Sequence, residues 1–355
     1  MRRLTPALCA ALVVLAAQGA ARAGKNDLQL LNLCPQRSNP STGLSECAWV
    51  SRDPATGLIT GTTPDIDGQS RFRSLMSELG VAIAPRLMTP ADTLGYAGFQ
   101  FSAELGFTKI NNTRDYWDGT AAVDPLNPSA ARPDAYLTTV GAFVRKGLWL
   151  PLPAFEFGAG AVKIIDSGMY SVQGYAKFAL QEGFHGWALP SLAVRGSVSQ
   201  LLGTDQVDLT VWGIDVLISK AFSIGGTARI EPFVGWNILF IHAQSGVIDA
   251  TPGCDAYALS QAAQTGGAAP GPSCGAPSAA DPWNDLKANF TFPSQDVITR
   301  QRWFGGFKLK LAVLFLAAEL DVFPAGTSHD TMQSGGAGDR SGTQESYSLS
   351  AGFDF

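Results

Sequence analysis

Hydrophobic and polar positions alternate along most of this chain. In 300–313 the odd positions Trp303, Phe307, Leu309, Leu311 and Val313 are apolar, while the even positions include Arg300, Arg302, Lys308 and Lys310. Successive side chains of a β-strand point to opposite faces, so this spacing lines up four cations on one face and an apolar band on the other. In the next stretch Leu314, Leu316, Leu320 and Val322 share a face opposite Glu319 and Asp321. A tight turn at 312–313 would set that acidic pair on the same side as Lys308. A soluble sandwich core accommodates such a face poorly, whereas a barrel with a wet interior accommodates it readily.

The alternation recurs. Phe99, Phe101, Leu105 and Phe107 share a face against Gln100, Ser102 and Glu104. Tyr170, Val172, Ala176, Phe178 and Leu180 oppose Gln173, Tyr175, Lys177 and Gln181. Leu192, Val194 and Val198 oppose Arg195, Ser197 and Ser199, and Ile230, Val234, Trp236, Ile238 and Phe240 oppose Arg229, Glu231 and Asn237. In 207–219 the phase slips near Trp212 and Gly213, which reads as a bulge; 154–164 slips similarly. The pattern predicts ten strands, at 94–109, 135–147, 153–165, 169–181, 187–200, 207–221, 227–243, 298–312, 313–323 and 345–355. Of the connections, 110–134, 244–297 and 324–344 are long and polar, while 148–152, 182–186, 222–226 and 312–313 are short and belong to the opposite set. Short turns at one end and long loops at the other, with an even strand number, follow the plan of transmembrane barrels, and the parity places both termini on the periplasmic side. The expected fold is all-β: a transmembrane antiparallel up-and-down β-barrel over 93–355.

Residues 24–92 read differently. The first part is polar and turn-rich, with Pro35, Pro40, Pro54 and Pro64. In 72–84, Leu75, Leu79 and Ile83 recur at helical spacing, yet Leu75, Leu79, Val81 and Ile83 also share a strand face. A strand here needs an earlier partner and makes the barrel twelve-stranded. A helix would sit inside or beneath the barrel as a plug, and this is the preferred reading.

Composition narrows the class without deciding it. Charged residues make up 15% and apolar ones 46%, with 39 Gly, against about a quarter charged in ordinary soluble proteins. A barrel facing lipid fits, and so does a Gly-rich soluble sandwich. The first residues add a basic start at Arg2 and Arg3, a short apolar run at 8–17 and the small-x-small pattern of Ala21, Arg22 and Ala23. This predicts a signal peptide over 1–23, cleaved before Gly24, since the run is too short to span a membrane as a helix. Its removal leaves 22 basic against 30 acidic residues, a net charge of −8, which argues against a nucleic-acid partner.

The far end carries the strongest motif. Tyr347, Leu349, Ala351, Phe353 and Phe355 alternate with Ser348, Ser350, Gly352 and Asp354. These nine residues resemble the carboxy-terminal assembly signal of bacterial outer-membrane proteins. The resemblance implies an integral outer-membrane location, lipid around the wall and recognition by the barrel assembly machinery. Physically it is a last strand with a lipid face and a terminal aromatic at the interface. A fainter likeness involves Ser77, Glu78, Leu79, Gly80, Val81, Ala82, Ile83 and Ala84, followed by Ala91 and Asp92. It is similar to the plug before the first strand of the long-chain fatty-acid transporter family. The Asn-Pro-Ala element of that family is absent and too few strands follow, so the likeness bears only on the plug.

Candidate chemistry is sparse. Cys34, Cys47, Cys254 and Cys274 form two local pairs, and in an exported chain they predict disulfides Cys34–Cys47 and Cys254–Cys274, each stapling one polar loop. Zinc is the alternative, but no His stands near either pair. His185 falls in a periplasmic turn, His242 near an outer strand end and His329 in an outer loop. His242 with Asp249, or His329 with Asp330, lacks a nucleophile elbow or metal-ligand spacing. No catalytic residue, metal or cofactor is expected. The remaining candidates are the inward charges Arg145, Lys177, Arg195, Arg229, Glu231, Arg300, Arg302, Lys308, Lys310, Glu319 and Asp321, joined by Glu104 and Asp354. As a pore lining they would bias passage of small solutes toward anions. As ion pairs they would fill a narrow barrel. The expected function is a small passive channel or transporter for small solutes. The alternatives are a non-conducting structural or surface-binding barrel and, more remotely, a barrel-anchored hydrolase.

Overall fold

The structure is a computed structural model that describes residues 24–38, 45–86, 88–148, 154–183, 189–251, 285–331 and 336–355. Ten strands form its wall: β1 (Phe99–Lys109), β2 (Tyr136–Leu148), β3 (Phe155–Ile164), β4 (Tyr170–Gln181), β5 (Ser191–Leu202), β6 (Val207–Ser219), β7 (Ala228–Ser245), β8 (Ile298–Leu311), β9 (Leu314–Phe323) and β10 (Gln344–Asp354). Each pairs antiparallel with the next, and β10 pairs back with β1, Ser346 opposite Thr108 and Phe353 opposite Phe101. The sheet thus closes into an up-and-down barrel, and closure removes the open edges that an exposed sheet would present. The twelve-strand alternative is not realised.

The alternation of the sequence is the alternation of the wall. Trp303, Phe307, Leu311, Leu314, Leu316, Leu320, Tyr347, Leu349 and Phe353 stand outward and exposed, and their neighbours Arg300, Arg302, Lys308, Glu319 and Asp321 stand inward and buried. An outer face this apolar and this continuous is not a surface that water tolerates. Strands of 10 to 18 residues meet the roughly 9–11 needed to cross a bilayer at a tilt. No helix among the described residues is long and apolar enough to cross a membrane.

The expected bulge at Trp212 and Gly213 is absent. Register runs unbroken on both flanks of β6, with Trp212 opposite Phe240 on one side and Val198 on the other. What changes along β6 is the character of the inward face: Val207, Leu209 and Val211 are buried there at one end, Asp215 and Ser219 at the other. A change of environment along one face imitates a change of phase. The slip expected in β3 is absent for the same reason, its register being continuous with both neighbours. Within the wall the register breaks once among the described pairs, at Ala179/Gln181 between β4 and β5.

One end of the barrel carries the turns after β2, β4, β6 and β8, the start of β1 and the end of β10; it is called the short-turn end below. The opposite, loop end carries the long connections 110–135, 246–297 and 324–343, with two short ones, 165–169 and 203–206. The β8–β9 turn places Ala312 at φ 54°, a left-handed conformation that costs a residue with a Cβ roughly 1 kcal/mol relative to glycine. Ala312→Gly is expected to raise stability by about 1 kcal/mol, read as a higher urea midpoint of the folded barrel; an unchanged or lower midpoint would contradict the strained turn.

The chain before β1 is ordered against the loop end. Ribbons Gln36–Ser38 with Ser45–Cys47, and Val50–Arg52 with Ile59–Thr62, precede helix α1 (Ile66–Ile83). Cys34 and Cys47 are joined, as expected; Cys254 and Cys274 lie outside the described residues, as do 1–23 and His185. The helical reading of 72–84 is correct, and the helix starts earlier, where the Asp65 side chain accepts from the Gly68 amide at 2.7 Å as an N-cap should. Phe72 stacks on Phe292 at 4.5 Å, and Trp49 meets Phe290 and Phe292 edge-on. These rings share one core with Leu75, Leu79 and the inward Leu209, Val211, Leu239 and Ile241. The first described residues also sit here: Asn26 donates its amide to Asp166 O at 3.1 Å, and Asp27 accepts from Ser167 Oγ and the Gly168 amide, both at 2.6 Å. The expectation of both termini at the short-turn end therefore holds for Phe355 and fails for residue 24.

Candidate functional site

The inward charges come together in four groups. Near the short-turn end Lys308 and Lys310 both reach Asp354, and Arg229 pairs with Glu231 at 3.2 Å and with Asp92 at 2.8 Å. Lys177 pairs with Glu156 at 3.2 Å, and the Tyr175 hydroxyl donates to the same carboxylate. Arg145 binds Glu104 at 2.7 Å and Ser102 at 2.9 Å. In the centre Asp215 lies between Arg195 and Arg302 and accepts from the Asn237 amide; Arg302 also faces Asp321 at 3.7 Å. The Phe304 ring lies 5.7 and 5.3 Å from these two guanidinium carbons.

These cations serve a second purpose. Arg302 donates to Pro85 O at 2.8 Å and Arg195 to Thr89 Oγ1 at 3.1 Å. Lys177 donates to Pro90 O at 3.0 Å and Asp92 O at 2.9 Å. Gln173 and Ser199 both donate to Ile83 O at 2.9 Å, and Arg300 to Ser77 Oγ at 2.8 Å. Apart from Ser77 within α1, their targets run from the last residue of α1 along the chain toward β1. An extended segment has no ladder partner for its carbonyls, and a buried carbonyl must still find a donor. The inward face of the wall supplies those donors from Ile83 at one end to Asp92 at the other. Ser219 Oγ accepts the Ala91 amide and Glu156 the Leu94 amide, so the segment is held on both of its hydrogen-bonding edges.

Arg86 belongs to the same segment and is almost fully buried. It donates to Ala82 O at 2.8 Å, to Thr139 at 3.3 Å and to Thr108 Oγ1. A Cβ on Gly106 would stand 2.4 Å from its Nη1, so the wall is glycine where the guanidinium lies against it. A small cavity of about 20 Å³ beside Arg86, room for about one water, is lined by Met88, Glu104, Leu105, Thr139, Gln173 and Ser348 among others. At the short-turn end a recess of about 260 Å³ is bounded by Asp92, Arg229, Glu231, Lys308, Lys310 and Asp354.

At the loop end the organising group is Glu78, fully buried. Its carboxylate accepts from the Asn111 amide and side chain at 2.9 and 2.6 Å, from the Tyr116 hydroxyl and Trp117 Nε1 at 2.7 Å each, and from the Gly342 amide at 3.2 Å. Burial, with that carboxylate alongside, holds the Tyr116 phenol well above its ordinary pKa, so it stays a donor. One helix residue thus fastens two loops.

Asp215, Glu156, Arg86 and Glu78 were not among the sequence candidates. Asp215 and Glu156 lie on the two strands whose phase was misread, which put them on no assigned face. Arg86 and Glu78 precede the barrel, where no wall pattern applies. Exposed His242 hydrogen-bonds Gln244, while Asp249 accepts from the Thr251 amide and Asp330 from the Asp296 amide. Neither proposed histidine–carboxylate pair is assembled by these bonds.

No family model and no curated protein matches the chain. Among solved structures it is similar to Ail, the attachment invasion locus protein of Yersinia pestis, at 6% identity and TM-score 0.24, covering 73% of this chain and 99% of that one. It is likewise similar to the N-terminal β-barrel domain of Pseudomonas aeruginosa OprF, at 10% identity and TM-score 0.23, covering 74% and 99%. The translocator domain of the autotransporter NalP from Neisseria meningitidis matches at 9% identity and TM-score 0.25, covering 81% and 95%.

Proposed function

We propose that this chain is an integral protein of a bacterial outer membrane, exported by a leader removed before Gly24. In this reading the aromatic-ended β10 is the segment the assembly machinery recognises. The short-turn end faces the periplasm and the loop end faces out, following the turn-length rule of bacterial barrels. The resting barrel does not conduct, and its role is to present the ordered cap at its loop end for binding. The observation that supports this is the use of the inward cations. Arg195, Arg302 and Lys177, the charges that would line a pore, bind Thr89, Pro85, Pro90 and Asp92 of the chain's own extended segment. The segment 66–98 then acts as a plug, and the inward charges are a seat for it.

A second reading keeps the channel. The recess at the short-turn end and the small cavity beside Arg86 lie on either side of the segment's midpoint. Release of 84–98 would join them past a wall rich in cations, giving passage to small anionic solutes. Conductance in planar bilayers separates the readings. The intact protein is expected to show no steady conductance, and a variant lacking residues 24–92 is expected to conduct with anion preference, reduced by Arg302→Glu. Steady conductance by the intact protein would overturn the closed barrel. Failure of the shortened variant to conduct would remove the gated channel and leave the presenting barrel.

A further inference from the structure

The direction of the chain between α1 and β1 has a topological consequence. The described residues of 24–62 lie at the loop end: Lys25 pairs with Asp134 and Asp166, Leu30 donates to Gln206, Leu28 bridges Thr120, and Thr62 donates to Lys287 O. Those partners belong to the connections after β1, β3, β5 and β7. From Ile83 the chain then meets inward residues in order of depth. Gln173 and Ser199 come first, Arg302 next, Arg195 in the middle, and Lys177, Ser219 and Arg229 last. It leaves at the short-turn end, where the Gly147 amide bonds Gly98 O and the Phe99 amide bonds Phe355 O. These partners stand on β4, β5, β6, β7 and β8, and Arg86 reaches Thr108 on β1 and Thr139 on β2. The wall surrounds the segment.

We infer that the chain crosses the membrane an eleventh time, through the interior of its own barrel, and that residues 24–62 are thereby displayed on the cell surface as a disulfide-closed module. This rests on the orientation proposed above. Two features fit a surface module reached this way. The aromatic core of Trp49, Phe72, Phe290 and Phe292 gives the displayed residues a packed seat on the outer loops instead of a free tail. The Cys34–Cys47 bridge closes a segment that has emerged from the crossing path. That core is also broader than one extended chain, so the module cannot slip back through the interior while folded. Closure of β10 onto β1 must therefore take place around a chain already in position, or before the cap has formed.

The test is an epitope inserted after Thr56, in the exposed turn between Asp53 and Leu58, with the same epitope after Leu126 in the 110–135 connection and after Ala312 in the short turn as references. On intact cells, antibody is expected to bind the insertions at 56 and 126 and to reach that at 312 only after permeabilisation. Binding at 126 without binding at 56 overturns the inference while leaving the orientation intact. Binding at 312 but not at 126 overturns the orientation itself. Heat-modifiable gel mobility identifies which insertions have folded. A measurement on the unaltered protein covers insertions that do not fold: a bulky amine reagent applied to intact cells is expected to modify Lys25 and spare Lys146 and Lys220, which lie at the short-turn end. Protection of Lys25 together with those two residues counts against surface display.

Discussion

Glu78→Ala is expected to detach the cap from the barrel at a cost of about 3–5 kcal/mol, the range for stripping a buried, fully hydrogen-bonded charge of its role. The side chain is buried and satisfies five donors from two separate connections. Its loss leaves Trp117 Nε1, the Tyr116 hydroxyl and the Asn111 amide buried without an acceptor, each worth about 1–3 kcal/mol. The wall makes none of these bonds, so the variant should still show heat-modifiable mobility. Its 110–135 connection should become sensitive to protease, with red-shifted tryptophan emission. Glu78→Gln keeps the shape but turns an amide donor toward donors, and should lose a substantial part of the same stability. If Glu78→Ala leaves the connection resistant, the cap is held by its aromatic core alone, and the carboxylate is not its anchor.

How far the sequence revealed this molecule depends on what surrounds each face. In 298–323 the outward side is apolar and exposed, and the inward side carries charges spaced along both strands, with Phe304 and Phe315 between them. There the period of two stands out, and Arg300, Arg302, Lys308, Glu319 and Asp321 were placed on the correct side. In β6 the inward side changes partner halfway. Leu209 and Val211 meet the apolar underside of α1, while Asp215 meets two arginines. An inward Leu and an outward Ile look alike in a pattern that assumes one environment per face, and the signal for Asp215 was lost there. The helix was legible as a helix from Leu75, Leu79 and Ile83. Its buried polar side, Arg73, Ser77 and Glu78, was not, because a polar residue can be buried only when its partners are supplied by remote chain. The destination of the inward cations was hidden for the same reason. Alternation reports that Arg302 faces inward, and nothing local reports that Pro85 waits for it.

The inward charges are close to balanced, with Arg145, Lys177, Arg195, Arg300, Arg302 and Lys308 buried beside Glu104, Glu156, Asp215, Glu231, Glu319, Asp321 and Asp354, yet the cations do more than pair. A plain ion-pair filling needs balanced charge. Here Arg300, Arg302, Arg195 and Lys177 each give at least one bond to an uncharged carbonyl or hydroxyl of the N-terminal chain. Donors beyond what the carboxylates require are what an extended segment with unpaired carbonyls demands. The seat is therefore written in the spare donors of those cations, which in a channel would be read as selectivity.

Asp215→Ala gives the sharpest test of that seat. Asp215 is fully buried between Arg195 and Arg302, and its removal leaves two buried guanidiniums facing each other with Asn237 unpaired. Breaking a buried ion network by removing one partner costs about 3–5 kcal/mol, whereas replacing the whole group by apolar side chains of similar size is often close to neutral. Asp215→Ala is therefore expected to lower unfolding stability by that amount in urea titrations of the barrel in lipid vesicles. The triple change Asp215→Leu, Arg195→Met and Arg302→Met should recover part of the loss in the wall, short of the whole because Asp321, the second carboxylate facing Arg302, stays in place. It should not recover the hold on the extended segment, because the bonds to Pro85 and Thr89 come from the two arginines. The triple variant is thus expected to combine a stable wall with a protease-sensitive 84–98 segment. A segment as resistant as in the unaltered protein would show that the inward cations serve the wall alone, and the plug would lose its main support.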